Sequence, residues 1–182
     1  AINKNADGNI RIISGSADRK AIVWSLQGSV PERVIRDDPD SLFSRSFKFH
    51  EDYVECVALT DNYFATGSRD GKVGIYDEKG KLLPYAKLNH QNKKIRDLVI
   101  LENKDKNKNM PKVFTLSEDG WVTCWCLKKS VDDNCASREY TLVHDRNISK
   151  MIVSPDGKWV VTGGSKKNDD VKTFIWDLEK LD

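Results

Sequence analysis

The chain holds three histidines in 182 residues, and each is followed by a hydroxyl residue and then an aspartate. The sets are His50, Thr66 and Asp70; His90, Thr115 and Asp119; and His144, Thr162 and Asp170. Hydroxyl, imidazole and carboxylate are the ingredients of nucleophilic catalysis, in which the imidazole takes the hydroxyl proton and the carboxylate orients the ring. One active site needs one such set. Three sets at related intervals point instead to a hydrogen-bonding device repeated along the chain, so no catalytic residue is expected. No metal site or cofactor is expected either. Zinc would need a close cysteine pair with a second ligand pair, and the four cysteines, Cys56, Cys124, Cys126 and Cys135, do not supply them.

The spacing continues to a fourth member. A hydroxyl residue, an aspartate four residues on and an aromatic six further recur as Ser14–Asp18–Trp24, Thr66–Asp70–Tyr76 and Thr115–Asp119–Trp125. Thr162–Asp170–Trp176 keeps the last interval and adds four residues to the first. The aspartates (18, 70, 119, 170) step by 52, 49 and 51 residues, and the aromatics step identically. A fixed period of this size signals a repeat architecture.

The elements that carry these residues read as short strands. Phe64–Gly67 and Val73–Tyr76 flank Asp70-Gly71, a tight-turn dipeptide between strand formers. Each unit adds a near-continuous apolar strand before its hairpin, such as Ile95–Leu101, which is expected to be buried on both faces, and an alternating outer strand such as Ser41–Phe49 or Lys81–Leu88. Ile148–Val153 opens the fourth unit, and Glu139–Val143 closes the third. Glu102–Asn109 and Lys128–Arg138, with Cys135, read as solvated loops. No helix is expected, because no long stretch has the 3.6-residue period with start and stop signals.

Composition narrows the class. With 38% apolar and 32% charged residues the chain is globular, and 30 basic against 28 acidic side chains leave too little net charge to imply nucleic acid or an anionic membrane. Short apolar runs exclude a membrane-spanning helix. Few, scattered thiols fit free cysteines in a reducing compartment, cytoplasm or nucleus.

These features resemble the WD-repeat β-propeller family. That family places a His at the turn into the inner strand, Ser/Thr in the second strand, Asp in the hairpin turn and Trp-Asp at the close of the third. Here His50–Thr66–Asp70–Tyr76, His90–Thr115–Asp119–Trp125 and His144–Thr162–Asp170–Trp176 match, and Ser14–Asp18–Trp24 matches without its His. Tyr76 stands in one Trp position, and the full dipeptide survives only at Trp176-Asp177. The resemblance implies an all-β array of about four blades of four antiparallel strands, at 1–49, 50–89, 90–143 and 144–182, forming an incomplete ring. Its remaining blades are expected from a longer chain, a second copy or another subunit. It also implies that each quartet is structural, a chain of hydrogen bonds from Trp to Ser/Thr to His to Asp.

Function then falls to the surface. In similar propellers, partners dock on the narrower face. The residues expected to face it are Glu55, Arg96 and Ser149, in the inner strands, and Ala17, Arg69, Glu118 and Asp169, just before the turn aspartates. A mixed-charge rim suits a protein or peptide partner through Arg–carboxylate pairing. The expected function is a non-catalytic interaction scaffold or adaptor in a multiprotein complex. The alternative is a ribonucleoprotein-associated subunit contacting RNA or DNA through Lys93-Lys94, Lys104–Lys112, Lys128-Lys129 and Lys166-Lys167.

Overall fold

The computed structural model describes residues 1–4, 8–26, 44–83, 88–90, 93–102, 111–129, 134–144, 148–164 and 173–181. Fifteen strands occur among these residues, with a single 3₁₀ turn at Leu178–Lys180 and no α-helix. The first sheet runs β1 (Ile2–Lys4), β2 (Ile10–Gly15), β3 (Lys20–Leu26), β4 (Ser44–Lys48) in spatial order. The second runs β5 (Val54–Leu59), β6 (Tyr63–Ser68), β7 (Lys72–Asp77), β8 (Leu88–Asn89). The third holds β9 (Ile95–Leu101), β10 (Lys112–Ser117), β11 (Trp121–Lys129) and β12 (Asn134–Val143), and the fourth β13 (Lys150–Val153), β14 (Trp159–Gly163) and β15 (Thr173–Asp177). Every pairing is antiparallel between sequence neighbours, so each sheet is one meandering blade.

Turn chemistry sets the hairpins. After the turn aspartates Asp18, Asp70 and Asp119 the backbone enters the left-handed region, at Arg19 (φ 73°), Gly71 (φ 79°) and Gly120 (φ 87°). Gly71 and Gly120 adopt it without steric cost, whereas Arg19 is strained there. The aspartate holds the turn: Asp70 Oδ1 accepts from Lys72 N at 2.8 Å and Asp18 Oδ1 from Lys20 N at 3.1 Å.

The core lies between sheets. Ile13 and Ala21 of the first blade pack on Phe64 and Tyr76 of the second. Ala65, Val73 and Ile75 of the second pack on Val113, Trp125 and Leu127 of the third. Phe114, Leu116 and Val122 of the third pack on Met151, Val153 and Val160 of the fourth. Strand β2 of the first blade and the inner strands β5, β9 and β13 of the other three are successive neighbours, which orders the blades as a fan. No described sheet covers the outward faces of the first and fourth blades. Ile152 and Ile175, in one cross-strand row with Val161, are 70% and 69% exposed, as is Ile2 at 69%.

Four expectations are corrected. The inner strands are not the most buried: β6 and β10 are, because each has a strand on either side and a blade on either face, whereas β5 and β9 have one free edge. Lys128–Arg138 is not a loop throughout. Strands β11 and β12 extend into it to Lys129 and from Asn134, which puts Cys135 in a strand. In the second blade the expected outer strand Lys81–Leu88 is reduced to Leu88–Asn89 and a single bridge between Tyr76 and Leu82, with 84–87 outside the described residues. The fourth inner strand begins at Lys150, not Ile148, although Ile148 is buried. Glu102 is described, but the rest of the insertion through Asn109 is not.

Candidate functional site

The repeated quartets are where the sequence could have done chemistry, and their geometry is closed. In the second blade His50 Nε2 lies 2.7 Å from Thr66 Oγ1 and Nδ1 lies 3.2 Å from Asp70 Oδ2. A carboxylate only accepts, so Nδ1 carries the proton and Thr66 donates to Nε2. Tyr76 hydrogen-bonds to Thr66 in its turn. Asp70 Oδ2 also accepts from Glu51 N at 2.9 Å, which ties the hairpin turn to the entry of the inner strand. His50 and Thr66 are buried, so no substrate reaches the hydroxyl. Burial lowers the His50 pKa, against the pull of Asp70, and keeps the ring neutral. Burial would raise the Asp70 pKa, but the Glu51 and Lys72 N–H donors and His50 outweigh it and leave the carboxyl below its usual range.

The third blade repeats the pattern with an indole. Trp125 Nε1 donates to Thr115 Oγ1 at 2.8 Å, and Thr115 Oγ1 lies 2.6 Å from His90 Nε2. Asp119 accepts from Ser117 Oγ. In the fourth, Trp176 Nε1 donates to Thr162 Oγ1 at 3.3 Å, and His144 Nε2 is 2.9 Å from the same oxygen. Asp170 lies outside the described residues, as does Asp169. In the first blade Trp24 Nε1 donates to Ser14 Oγ at 3.2 Å, and both Ser14 and Asp18 are exposed, because the face that carries them meets no described neighbour.

Among the rim residues, Arg69 Nε hydrogen-bonds to Glu55 Oε1, and its guanidinium carbon sits 4.8 Å from the centre of the Tyr53 ring. Arg96 Nη2 is 3.8 Å and Lys94 Nζ 3.5 Å from Glu118 Oε1. All four charged rim positions are exposed for a third or more of their side-chain surface. Ser149 and Ala17 are exposed, and Ser149 N donates to Gly163 O at 3.0 Å. Of the basic residues considered for nucleic acid, Lys112 pairs with Glu139 at 2.8 Å and Lys94 with Glu118, while 103–110 and 165–170 are not described.

Sequence reasoning missed three positions. Tyr53, 42% exposed, is an aromatic floor under Arg69, and only its place two residues before Glu55 hinted at it. Asp97 stands in an apolar run, yet its carboxylate accepts from Met151 N at 3.0 Å and lies 3.5 Å from Lys150 Nζ, joining the third blade to the fourth. Glu102, read as the start of a solvated insertion, grips the β5–β6 turn: it accepts from Thr60 Oγ1, from Asn62 N at 2.7 Å and from Asn62 Nδ2 at 2.9 Å. Arg11 holds the other side of that turn through the Thr60 and Asp61 carbonyls. Among the described residues, no cluster of His, Cys, Asp and Glu could hold a metal ion.

The family model described as WD domain, G-beta repeat, matches at 42–77 and 136–172. Each match starts at an outer strand and runs into the next blade, through β4–β7 and from β12 into the fourth blade. Residues 42–77 and 136–172 are similar to WD40 repeats. A p21-activated protein kinase-interacting protein 1-like protein of Xenopus laevis is 28% identical over 137 residues, 74% of this chain and 34% of that protein. An uncharacterized WD repeat-containing protein of Schizosaccharomyces pombe is 28% identical over 177 residues, 96% of this chain and 37% of that one. The chain thus spans about a third of the length of these relatives. In fold it is similar to a chain in the crystal structure of a mitotic checkpoint complex, with a TM-score of 0.64 and 18% identity, over 97% of this chain and 49% of that one. No helix among the described residues is long and apolar enough to cross a membrane.

Proposed function

We infer that these blades are a non-catalytic adaptor surface that binds a protein partner at the rim formed by the hairpin turns and inner-strand entries of the second and third blades. The observation that carries this reading is the cluster Tyr53, Glu55, Arg69, Lys94, Arg96 and Glu118. There an exposed aromatic ring and two exposed arginines stand at a hairpin turn and at inner-strand entries, the residue types that dominate protein interfaces. The buried pairs Thr66–His50, Thr115–His90 and Thr162–His144, bonded within the fold, supply the rigidity. The protein serves a multiprotein complex inside the cell, in cytoplasm or nucleus, and further blades of a longer chain, a second copy or another subunit cover the outward faces of the first and fourth blades.

Site-specific photo-crosslinking tests the docking surface. A benzophenone side chain placed at Tyr53 in the full-length protein should capture partner protein in cells, and one placed at Asp61, on the β5–β6 turn at the opposite end of the blade, should not. Capture only from Asp61 would overturn the reading.

A further inference from the structure

The rim of the second and third blades is one three-position unit built twice with its charges exchanged. In each blade the residue before the turn aspartate donates its backbone N–H to the residue that precedes the inner strand: Arg69 to Tyr53 O at 3.0 Å and Glu118 to Lys94 O at 2.8 Å. The side chain at that turn position then meets the second residue of the inner strand, Arg69 with Glu55 and Glu118 with Arg96. The residue before the strand completes the unit, as the Tyr53 ring against Arg69 and as Lys94 3.5 Å from Glu118. The second blade therefore puts its cation on the turn and its anion on the strand, and the third blade does the reverse.

Donor bookkeeping shows what each unit leaves open. Arg69 spends Nε on Glu55 and lays its guanidinium over Tyr53, and its terminal NH₂ groups have no further partner among the described residues. That edge is the one a carboxylate takes with two parallel hydrogen bonds. Among the described residues Glu118 is touched only through Oε1, by Lys94 at 3.5 Å and Arg96 at 3.8 Å, which leaves Oε2 to a donor.

We propose that the two blades together bind one extended peptide segment bearing an acidic and a basic side chain, the carboxylate on the terminal edge of Arg69 and the cation on Glu118. This deepens the docking reading above and rests on it. The charge balance selects the ligand class. Arg69, Lys94 and Arg96 are offset by Glu55, Glu118 and Asp52, the last of which also acts on Arg69. A balanced site gives a monoanionic carboxylate its hydrogen bonds but holds no surplus cation for a phosphate dianion or a nucleic-acid backbone. Tyr53 offers an apolar floor to the residues between the two charges.

The test uses the full-length protein and fluorescence anisotropy with short labelled peptides. One carries Glu and Lys in an Ala/Gly background, a second has the two charges exchanged, a third has phosphoserine for Glu, and an oligouridylate is the fourth probe. The Glu/Lys peptide should bind best, and Arg69→Glu or Glu118→Lys should each weaken it by about tenfold. The double variant should recover binding by preferring the exchanged peptide. Arg69→Gln and Tyr53→Ala, milder changes, should weaken the first peptide less, and they keep the test decisive if a charge reversal misfolds. Equal binding by all variants would overturn the proposal, as would tighter Arg69-dependent binding of the phosphopeptide or the oligouridylate. If the peptides fail while crosslinking from Tyr53 still captures partner, this proposal falls and the docking reading stands. Capture only from Asp61 removes both.

Discussion

The second and third blades solve the same hydrogen-bonding problem with different side chains. In the third, Trp125 reaches Thr115 with its indole N–H, and Thr123 sits across the ladder from Thr115. In the second, Tyr76 reaches Thr66 with its hydroxyl, and the residue across from Thr66 is Gly74. The glycine has a steric reason. A Cβ there would stand 2.8 Å from Thr66 Oγ1 and 3.0 Å from the Tyr76 hydroxyl, so the tyrosine version of the hub fits only without a side chain at 74. Thr123 shows the cost of the alternative: its hydroxyl, like that of Thr141 directly opposite, is buried with no hydrogen-bond partner among the described residues. The substituted hub residue Tyr76 is thus accommodated by Gly74, two residues before it on the same strand and across the ladder from Thr66.

Gly74→Ala is the sharpest way to break that comparison. It should cost about 2–3 kcal/mol by crowding Thr66 and Tyr76. Thr123→Val, at the matching site, should be neutral or stabilising by up to about 1 kcal/mol, because it removes an unsatisfied hydroxyl at constant shape. Denaturant midpoints of the two variants check both, and equal losses would end the argument.

Asp70→Ala removes the acceptor of His50 and of two backbone N–H groups, and should cost about 2 kcal/mol at neutral pH. The same hub predicts an acid response. His50 titrates in the fold below its ordinary value of 6.5, so the unfolded chain takes up the proton first. Stability is full above that value and falls as pH drops below it. Asp70, depressed below 3.8, adds its own loss only as pH falls through that lower range. Denaturant midpoints at neutral pH and near pH 5 should differ in the parent protein, and His50→Gln should shrink the difference. An unchanged difference in His50→Gln would show that His50 does not carry it.

Smaller effects sharpen the contrast between blade junctions. Asp97→Ala should cost about 1–2 kcal/mol and speed hydrogen exchange at the Met151 amide, while leaving the first-to-second blade junction protected. Glu102→Ala, which frees a partly exposed turn, should cost about 0.5–1 kcal/mol and raise exchange at the Asn62 amide. No change at either amide would remove these residues from the set that joins the blades.

The quartets and hairpins were legible because they rest on local rules repeated at one period. An aspartate two residues before a backbone N–H can cap a turn in any context, and a glycine after it takes the left-handed conformation. The pattern also exposed its own exception, since Arg19 fills the place of Gly71 and Gly120. Asp97 and Glu102 were not legible. Each acts on a residue of another blade, and nothing within a few positions of either one distinguishes it from an ordinary charge.

The amino-acid sequence alone determined the strand-and-turn grammar and the period. Those follow from side-chain alternation and turn preferences, which act over a handful of residues. Tertiary structure alone decided how those pieces satisfy one another: which strands are buried deepest, that Arg69 lies on Tyr53 and pairs with Glu55, that Glu118 answers Arg96 with the opposite sense, and that Gly74 makes room for Tyr76. Burial and charge pairing depend on which atoms meet across blades, and residues that meet there can lie far apart along the chain, as Asp97 and Met151 do at 54 positions and Asn3 and Asp61 at 58. Sequence periodicity specifies each blade, but only packing brings one blade's side chains to the next.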